Sequence, residues 1–455
     1  MGDKSRRSRY PAAMTDHIVI VGGGFSGTLL AINLLRFGGP RPTMVERDAD
    51  RFARGVAYSA TEPGHLLNVR AAGMSAFPDD PGHFVRWLGA RGEATSFVPR
   101  QVYGSYLAET LQAVRDDRLT LVEGDVAAID ADGVRLDDGR RVAAMRVVLA
   151  TGNLPPHTPP GIDPAGLPGD RYLDDPWRAR PGDGLGDDDT IVLLGTGLTA
   201  IDVALQLDAA GFRGRVVALS RRGLRPRRHR DGLPPPAGET DLPGVSLSWV
   251  LRQVRERSAE HGWRAAVDRF RPMTQRLWAA SSAEERSRFL RHLRPFWDVH
   301  RHRLAPAVAE RIDAMVATGR LRFVAGKVAA AVPDGEGVCL RWRPRHADGV
   351  EAMRVARIVN CTGPQGDLTR TDDPLLARLV GEGRIRPDPL RLGIEVDAEA
   401  RVIAADGVAD DRLSCIGPMT RGGLWEVVAV PDIRRQAWDL ARRLSHAQWV
   451  GGEGL

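Results

Sequence analysis

Cysteine is scarce in this chain, and lysine is scarcer. Three Cys (339, 361 and 415) stand among 455 residues, none of them in a C-x-x-C pair. This excludes a disulfide framework, a Cys-based zinc site and the redox dithiol of a flavoprotein disulfide reductase. It fits a reduced, cytoplasmic protein. Lysine occurs only at 4 and 327, so the positive charge is almost entirely Arg. The net charge of +6 is mixed with interspersed acids. Outside Arg221–Arg230 and the first few residues there is no basic stripe, which argues against a nucleic-acid partner. No run approaches the 18 or so apolar residues of a membrane span. H-E-x-x-H, G-x-S-x-G and a Walker loop are all missing, and no spacing of ligands points to a metal. Residues 1–13 are polar and basic, lack the apolar core of a secretion signal, and read as a disordered tail.

Two glycine-rich loops are what the chain does have. The first reads His17-Ile-Val-Ile-Val-Gly-Gly-Gly-Phe-Ser-Gly27. Gly22 permits the strand-to-helix turn, Gly24 lets backbone approach a pyrophosphate, and Gly27 lets helix pack on strand. The helix that follows offers free N–H groups and a positive dipole end to phosphates. A second apolar strand, Pro42–Val45, ends in Glu46, where an acid should reach a ribose hydroxyl. A carboxylate there repels a 2′-phosphate, so this site suits FAD or NAD and not NADP, and its N-terminal position with the following Glu favours FAD. Phe25, Ser26, Arg47 and Val126 join the candidate FAD contacts.

The second loop reads Thr190-Ile-Val-Leu-Leu-Gly-Thr-Gly-Leu-Thr-Ala200, with Gly195, Gly197 and Ala200 in the fingerprint positions and Leu198 and Thr199 between them. After the next strand the acid is replaced by Ser220-Arg221-Arg222. A hydroxyl and two guanidiniums suit a 2′-phosphate, which Arg binds in bidentate fashion. NADPH is therefore expected over NADH. The further Arg at 225, 227, 228 and 230 read equally well as solvated charges or as a steer for an anionic substrate.

The length allows two or three domains. Residues 14–155 and 355–455 read as a discontinuous FAD-binding domain and 156–354 as an inserted NAD(P)H-binding domain, giving an α/β fold with two Rossmann-like units. Leu119–Glu123, Val126–Asp130, Gly133–Leu136 and Arg141–Val142 read as a β-meander. Two apolar strands run into Thr151-Gly152 and Thr362-Gly363, and the second turn marks the return to the first domain. Residues 242–317 break the alternation: they read as a helical insert with four Trp, a candidate substrate cover or homodimer surface. Its end, Phe296–Pro306, combines Asp, His and Arg with Trp, a pattern that ordinary salt links at a helix end also give.

The loops, the two T-G turns and the C-terminal strand–Gly–helix resemble two-dinucleotide-domain flavoproteins, among them class B flavin monooxygenases and amino-acid N-hydroxylases. G-V-A-Y-S (55–59), H-L-L-N-V (65–69), M-S-A-F-P-D-D-P (74–81), W-D-V-H-R-H-R (297–303) and R-G-G-L-W-E (421–426) are similar to a bacterial family of FAD/NAD(P)-binding proteins. Two features depart from class B monooxygenases. Leu167-Pro-Gly-Asp-Arg-Tyr172 lacks the His of the F-x-G-x-x-x-H linker, and Gly417-Pro418 replaces the usual G-D.

The resemblance implies a monooxygenase that takes hydride from NADPH and hydroxylates a small nitrogen-containing substrate with O2 through a flavin C4a-hydroperoxide. A purine-like heterocycle such as urate is an alternative substrate, and a flavin reductase that passes electrons to an acceptor without inserting oxygen is an alternative activity. His65, Asn68, Met74 and Ser75 lie on the loop expected beside the flavin, with Asn68, His65 and Ser75 as the catalytic candidates. A helix starting near Trp425 would aim its N-terminus at the flavin.

Overall fold

The computed structural model describes residues 17–59, 62–178, 180–232 and 246–446. The expected tail at 1–13 and the start of the helical insert, 242–245, lie outside them.

Two mixed sheets organise the chain, each parallel through its central strands and antiparallel at one end. The first runs Arg401–Ile403, Ala409–Cys415, Arg146–Leu149, His17–Val21, Arg41–Glu46, Thr120–Glu123 in spatial order. The His17–Val21 strand lies at its centre, with Val21 opposite both Val45 and Leu149. Strand side chains alternate between faces, and both faces are buried. Ile18, Ile20 and Met44 pack under the helices Phe25–Arg36 and Val430–Leu444. Val19, Val21 and Val45 pack against Leu375, Leu376 and Leu379 on the other side. Continuous apolar strands follow from this double burial.

The second sheet repeats the plan. Its order is Glu351–Val355, Gly337–Pro344, Leu321–Asp334, Arg215–Ser220, Thr190–Leu194, Arg357–Asn360, Tyr172–Leu173. Ile191, Leu193, Val216 and Ala218 face the helices Leu198–Ala209 and Pro306–Ala317, while Val192, Leu194, Val217 and Leu219 face Leu340 and Trp342.

Three local expectations change. Thr120–Glu123 belongs to no meander; it pairs parallel with Arg41–Glu46 at the edge of the first sheet, and the remaining three strands form a small antiparallel sheet. The strand before Thr362-Gly363 pairs with Thr190–Leu194 and so lies in the second sheet; the chain crosses back after it, not at 355. A short apolar strand fits either sheet equally well, and only pairing decides. Trp425 starts no helix: the helix begins at Val430 with Pro431 in its first turn, where a fixed φ and a missing N–H cost nothing.

The insert forms helices at Leu247–His261, Trp263–Phe270, Thr274–Ala280, Ala283–Arg288 and Arg294–Arg301. Pro306–Ala317, by contrast, is the crossover helix that any parallel connection from Arg215–Ser220 to Leu321 requires.

Candidate nucleotide sites and the seam between them

Each loop lies where its sheet turns into a helix, and the two are framed alike. Gly22 N–H donates to Val45 O at 2.8 Å, and Gly195 N–H donates to Leu219 O at 2.8 Å. A Cβ on Gly22 would lie 2.4 Å from Ala150 O, beside Thr151; one on Gly195 would lie 2.3 Å from Cys361 O, beside Thr362. The two T-G turns, with Gly152 and Gly363 at φ +71° and +85°, thus each press on the first glycine of their own loop. Both helices, Phe25–Arg36 and Leu198–Ala209, start at a glycine cap with no side-chain hydrogen bond and no acid in the first turn. Free N–H groups and an unneutralised dipole end are the donor set a pyrophosphate needs.

The first loop fits a retained dinucleotide. Gly24 backs onto Gly55, where a Cβ would come within 3.2 Å of the Gly55 Cα, and Gly55 itself adopts φ +57°. A Cβ on Gly27 would meet Gly22 O at 2.0 Å. Ser26 is buried at the helix start against Gly417, whose N–H donates to Gln436 Oε1 at 2.7 Å. Phe25 is buried edge-on to Tyr58. Thr151 Oγ1 is buried without a hydrogen-bond partner, an orphan that a bound polar group would satisfy. Glu46 accepts the Gly23 N–H at 2.9 Å. Arg47 pairs with Asp125 at 3.3 Å and Asp373 at 3.2 Å, and Val126 is buried at the start of the small sheet.

The second loop is open. A Cβ on Gly197 meets nothing within 4 Å. Leu198 and Thr199 are half-buried and Ala200 is buried. Ser220 Oγ bonds Thr196 Oγ1 at 2.9 Å and accepts Gly223 N–H at 3.0 Å, which shapes the turn after the strand. Arg221 is exposed. Arg222 reaches the insert, donating to Arg291 O at 3.3 Å and lying over the Phe296 ring. Thr362 Oγ1 is already bonded to Asn360 Oδ1 at 2.7 Å.

His65 and Asn68 of the 65–75 loop lie at the seam between the two sheets. His65 is buried, and its Nε2–H donates to Asp202 O on the second loop's helix at 3.0 Å. Asp202 pairs with Arg100 at 2.7 Å; burial nonetheless pushes its carboxyl above the usual range against the pull of Arg100 and His65. Asn68 O accepts from His229 Nε2 at 3.0 Å. Burial lowers His229 to about 4, opposed by that bond. Met74 is buried in the first core. Ser75 Oγ donates to Asp80 O at 2.6 Å and accepts Phe77 N–H at 3.1 Å, so its hydroxyl shapes a turn.

The two motifs at 297–303 and 421–426, far apart in the sequence, meet in the fold. Glu426 is buried at φ +66°. Its carboxylate accepts from Trp297 Nε1 and pairs with Arg301 at 3.0 Å and Arg271 at 3.5 Å; Arg271 also pairs with Asp432. Burial alone would push the Glu426 carboxyl up, but Arg301, His302 and Arg271 together hold it below the usual range. A non-glycine residue at positive φ costs on the order of 1–3 kcal/mol and persists only where its surroundings fix it; here two guanidiniums and the Trp297 N–H do. The same segment stacks Trp425 on Trp278, 4.6 Å between rings.

Cys361 and Cys415 are buried, and burial pushes both thiols well above their ordinary range, away from redox use. Among the described residues no helix is long and apolar enough to cross a membrane.

Comparison with known proteins follows the same outline. Residues 19–154 match a protein-family model described as FAD-NAD(P)-binding. A sequence search of curated proteins found no match. Among solved structures, the chain is similar to the L-lysine 6-monooxygenase of Pseudomonas syringae (17% identity, 95% of this chain and 99% of that one, TM-score 0.66). It is also similar to the cadaverine monooxygenase of Erwinia amylovora, solved bound to FAD (13%, 94% and 94%, 0.64). A third is the ornithine N-hydroxylase of Kutzneria sp. 744 with reduced FAD, NADP+ and L-ornithine (16%, 94% and 98%, 0.63). At these identities the likeness is one of fold: across nearly its whole length the chain has the α/β architecture of two-dinucleotide-domain flavoproteins.

Proposed function

We propose that this chain is an FAD-dependent, NADPH-using monooxygenase that hydroxylates a small nitrogen-containing substrate. The observation that carries this reading is the duplicated frame: two uncapped helix N-termini, each closed by its own T-G turn, in one chain. The first sheet's segments would hold FAD and the second sheet's segments NADPH. Full-length likeness to an ornithine N-hydroxylase, a lysine 6-monooxygenase and a cadaverine monooxygenase supports the reaction class.

FAD, when bound, supplies hydride acceptance and oxygen activation. What the chain supplies is position and environment. Gly22, Gly24 and the first turn of Phe25–Arg36 would cradle the pyrophosphate, with Thr151 Oγ1 offering one further hydrogen bond. Glu46 would exchange its bond to Gly23 for a ribose hydroxyl. Gly195, Gly197 and the first turn of Leu198–Ala209 would hold the second pyrophosphate, and Arg221 and Ser220 the 2′-phosphate. The buried ring of Phe25 and the close approach of Gly417 to Ser26 would help to exclude water from the first site.

The test is turnover of purified, FAD-loaded protein with NADPH, then NADH, and a panel of alkylamines, diamines, basic amino acids and purines, with products read by mass spectrometry. A product heavier by one oxygen, formed in step with NADPH consumption, is the expected result. NADPH consumption matched by hydrogen peroxide, with no oxygenated product across the panel and with electrons passed to an added quinone, would favour the reductase alternative.

A further inference from the structure

The helix Leu247–His261 has fifteen residues, and none of them is buried. It nevertheless carries an apolar stripe, Leu247, Val250, Leu251 and Val254, at the i, i+3, i+4, i+7 spacing of a core-facing helix. That stripe lines a half-open cavity of about 380 Å³, lined also by the rest of the insert and by Trp425. Small-ligand pockets begin at roughly this size. Trp263, Trp278, Trp297 and Phe270 line it too.

The cavity's polar side chains are largely spent within the protein. Thr274 Oγ1 donates to Arg271 O at 2.9 Å, Ser258 Oγ to Val254 O, Trp278 Nε1 to Gly422 O at 2.7 Å and Trp297 Nε1 to Glu426. His300 Nδ1 is bonded to Phe296 O at 2.7 Å. The cation among the lining residues, Arg255, is exposed. One wall, Trp425, sits on the segment that begins at Gly417, where a Cβ would come within 2.5 Å of Ser26 Oγ in the first nucleotide loop. The cavity and the first loop therefore share a segment.

Resting on the monooxygenase reading, we propose that the substrate is an amine with an apolar body, alkyl or aryl, and that the helical insert holds this body in the Trp-lined cavity. A basic amino acid, with two ammonium groups and a carboxylate, would find no buried counter-charge among the lining side chains and would forfeit its hydration. An apolar chain gains on the order of 0.8 kcal/mol per methylene buried, which is about threefold to fourfold in affinity. A small molecule fits better than a partner surface because the walls come from several helices and the Trp425 segment, making a concavity instead of a flat face.

Calorimetric titration of the FAD-loaded protein with butylamine, hexylamine and octylamine tests this without turnover. Expected is a tightening of about threefold per added methylene, with ornithine and lysine failing to compete. Val254→Trp, on the unburied helix, should fill the cavity, weaken octylamine at least tenfold and flatten the chain-length series. A flat chain-length series, or one that Val254→Trp leaves intact, would overturn the proposal. So would a dimer, seen by light scattering, that Val254→Trp dissolves without changing octylamine affinity; that outcome assigns the face to a second copy. Chain-length-dependent binding with no oxygenated product would keep the cavity and sink the monooxygenase reading. Hydroxylation of amines with no chain-length dependence would do the reverse.

Discussion

The two nucleotide loops share a frame and differ in how finished they are. Their first glycines each make a 2.8 Å bond to the neighbouring strand and each lie against the carbonyl just before their own T-G turn. Beyond that frame they part. The first loop is walled in by Gly55 and Gly417 and leaves Thr151 Oγ1 buried and unsatisfied. The second faces open space at Gly197, and its equivalent hydroxyl, on Thr362, already has Asn360 as partner. An enclosed site with an unmet polar group gains most from a ligand that stays. An open site already satisfied suits a coenzyme that arrives, transfers hydride and leaves. On the proposed function, one architecture would yield a resident and a visiting site through what surrounds the loop, with the glycine pattern unchanged.

The sharpest way to break this contrast is to add one methyl to each loop. In Gly27→Ala the Cβ lies 2.0 Å from Gly22 O, which is backbone and cannot move aside cheaply. Flavin content per purified chain should fall by tenfold or more. In Gly197→Ala, φ is −82° and the Cβ meets nothing within 4 Å. That variant should keep its flavin and its melting temperature and raise only KM for NADPH, because the methyl stands where the pyrophosphate approaches. Flavin loss in Gly197→Ala as large as in Gly27→Ala would end the distinction between the two sites.

The frame of both loops was legible in the sequence because it is a backbone requirement: Gly22, Gly27 and Gly195 sit where a side chain would strike a carbonyl, so the residue type announces the geometry. The double-sided cores were legible for a similar reason, since uninterrupted Val, Ile and Leu in short runs suit strands buried on both faces. The seam was not. His65 meets Asp202 and Asn68 meets His229 across sequence separations of 137 and 161 residues, and no local period encodes such a pairing. Glu426 was hidden in the same way: R-G-G-L-W-E and W-D-V-H-R-H-R were each visible, but their meeting through Trp297 and Arg301 is a product of tertiary packing. The helix start was misplaced to Trp425 because apolar residues run on upstream of it, whereas Pro431 carries the true signal.

A smaller effect sharpens the coenzyme half of the comparison. Arg221 is exposed beside the open loop, while Arg222 is held by Arg291 O and the Phe296 ring. A hydrogen bond to a charged group is worth about 1.5–3 kcal/mol, so Arg221→Ala should raise KM for NADPH by about tenfold to a hundredfold and leave KM for NADH within about twofold. Arg222→Ala should do less, since its guanidinium would first have to leave its present partners. Equal losses for NADPH and NADH in Arg221→Ala would remove the 2′-phosphate from the argument.

The smallest effect concerns the seam, and it depends on pH. His229 is neutral in the folded protein down to about pH 4, chiefly because of burial, and donates its Nε2–H to Asn68 O. Unfolded, it would titrate near 6.5. Above that value it is neutral in both states and contributes no pH dependence. As pH falls from about 6.5 towards 4, the unfolded chain takes up a proton that the folded chain refuses, so stability declines across this window and levels off below it. His302, lowered to about 4 by burial and then by Arg301, adds a second contribution of the same sign in the insert. The melting temperature should therefore drop between pH 7 and pH 5 by a few degrees. His229→Gln, which keeps a donor near Asn68 O and cannot titrate, should flatten part of that drop while costing little at pH 7. Hydrogen exchange at pH 5 should show residues 65–70 and 227–230 opening before either sheet, because the pairing that loses stability lies between the sheets. A melting temperature that falls equally in wild type and His229→Gln would place the acid-sensitive element elsewhere, with His302 the next residue to replace.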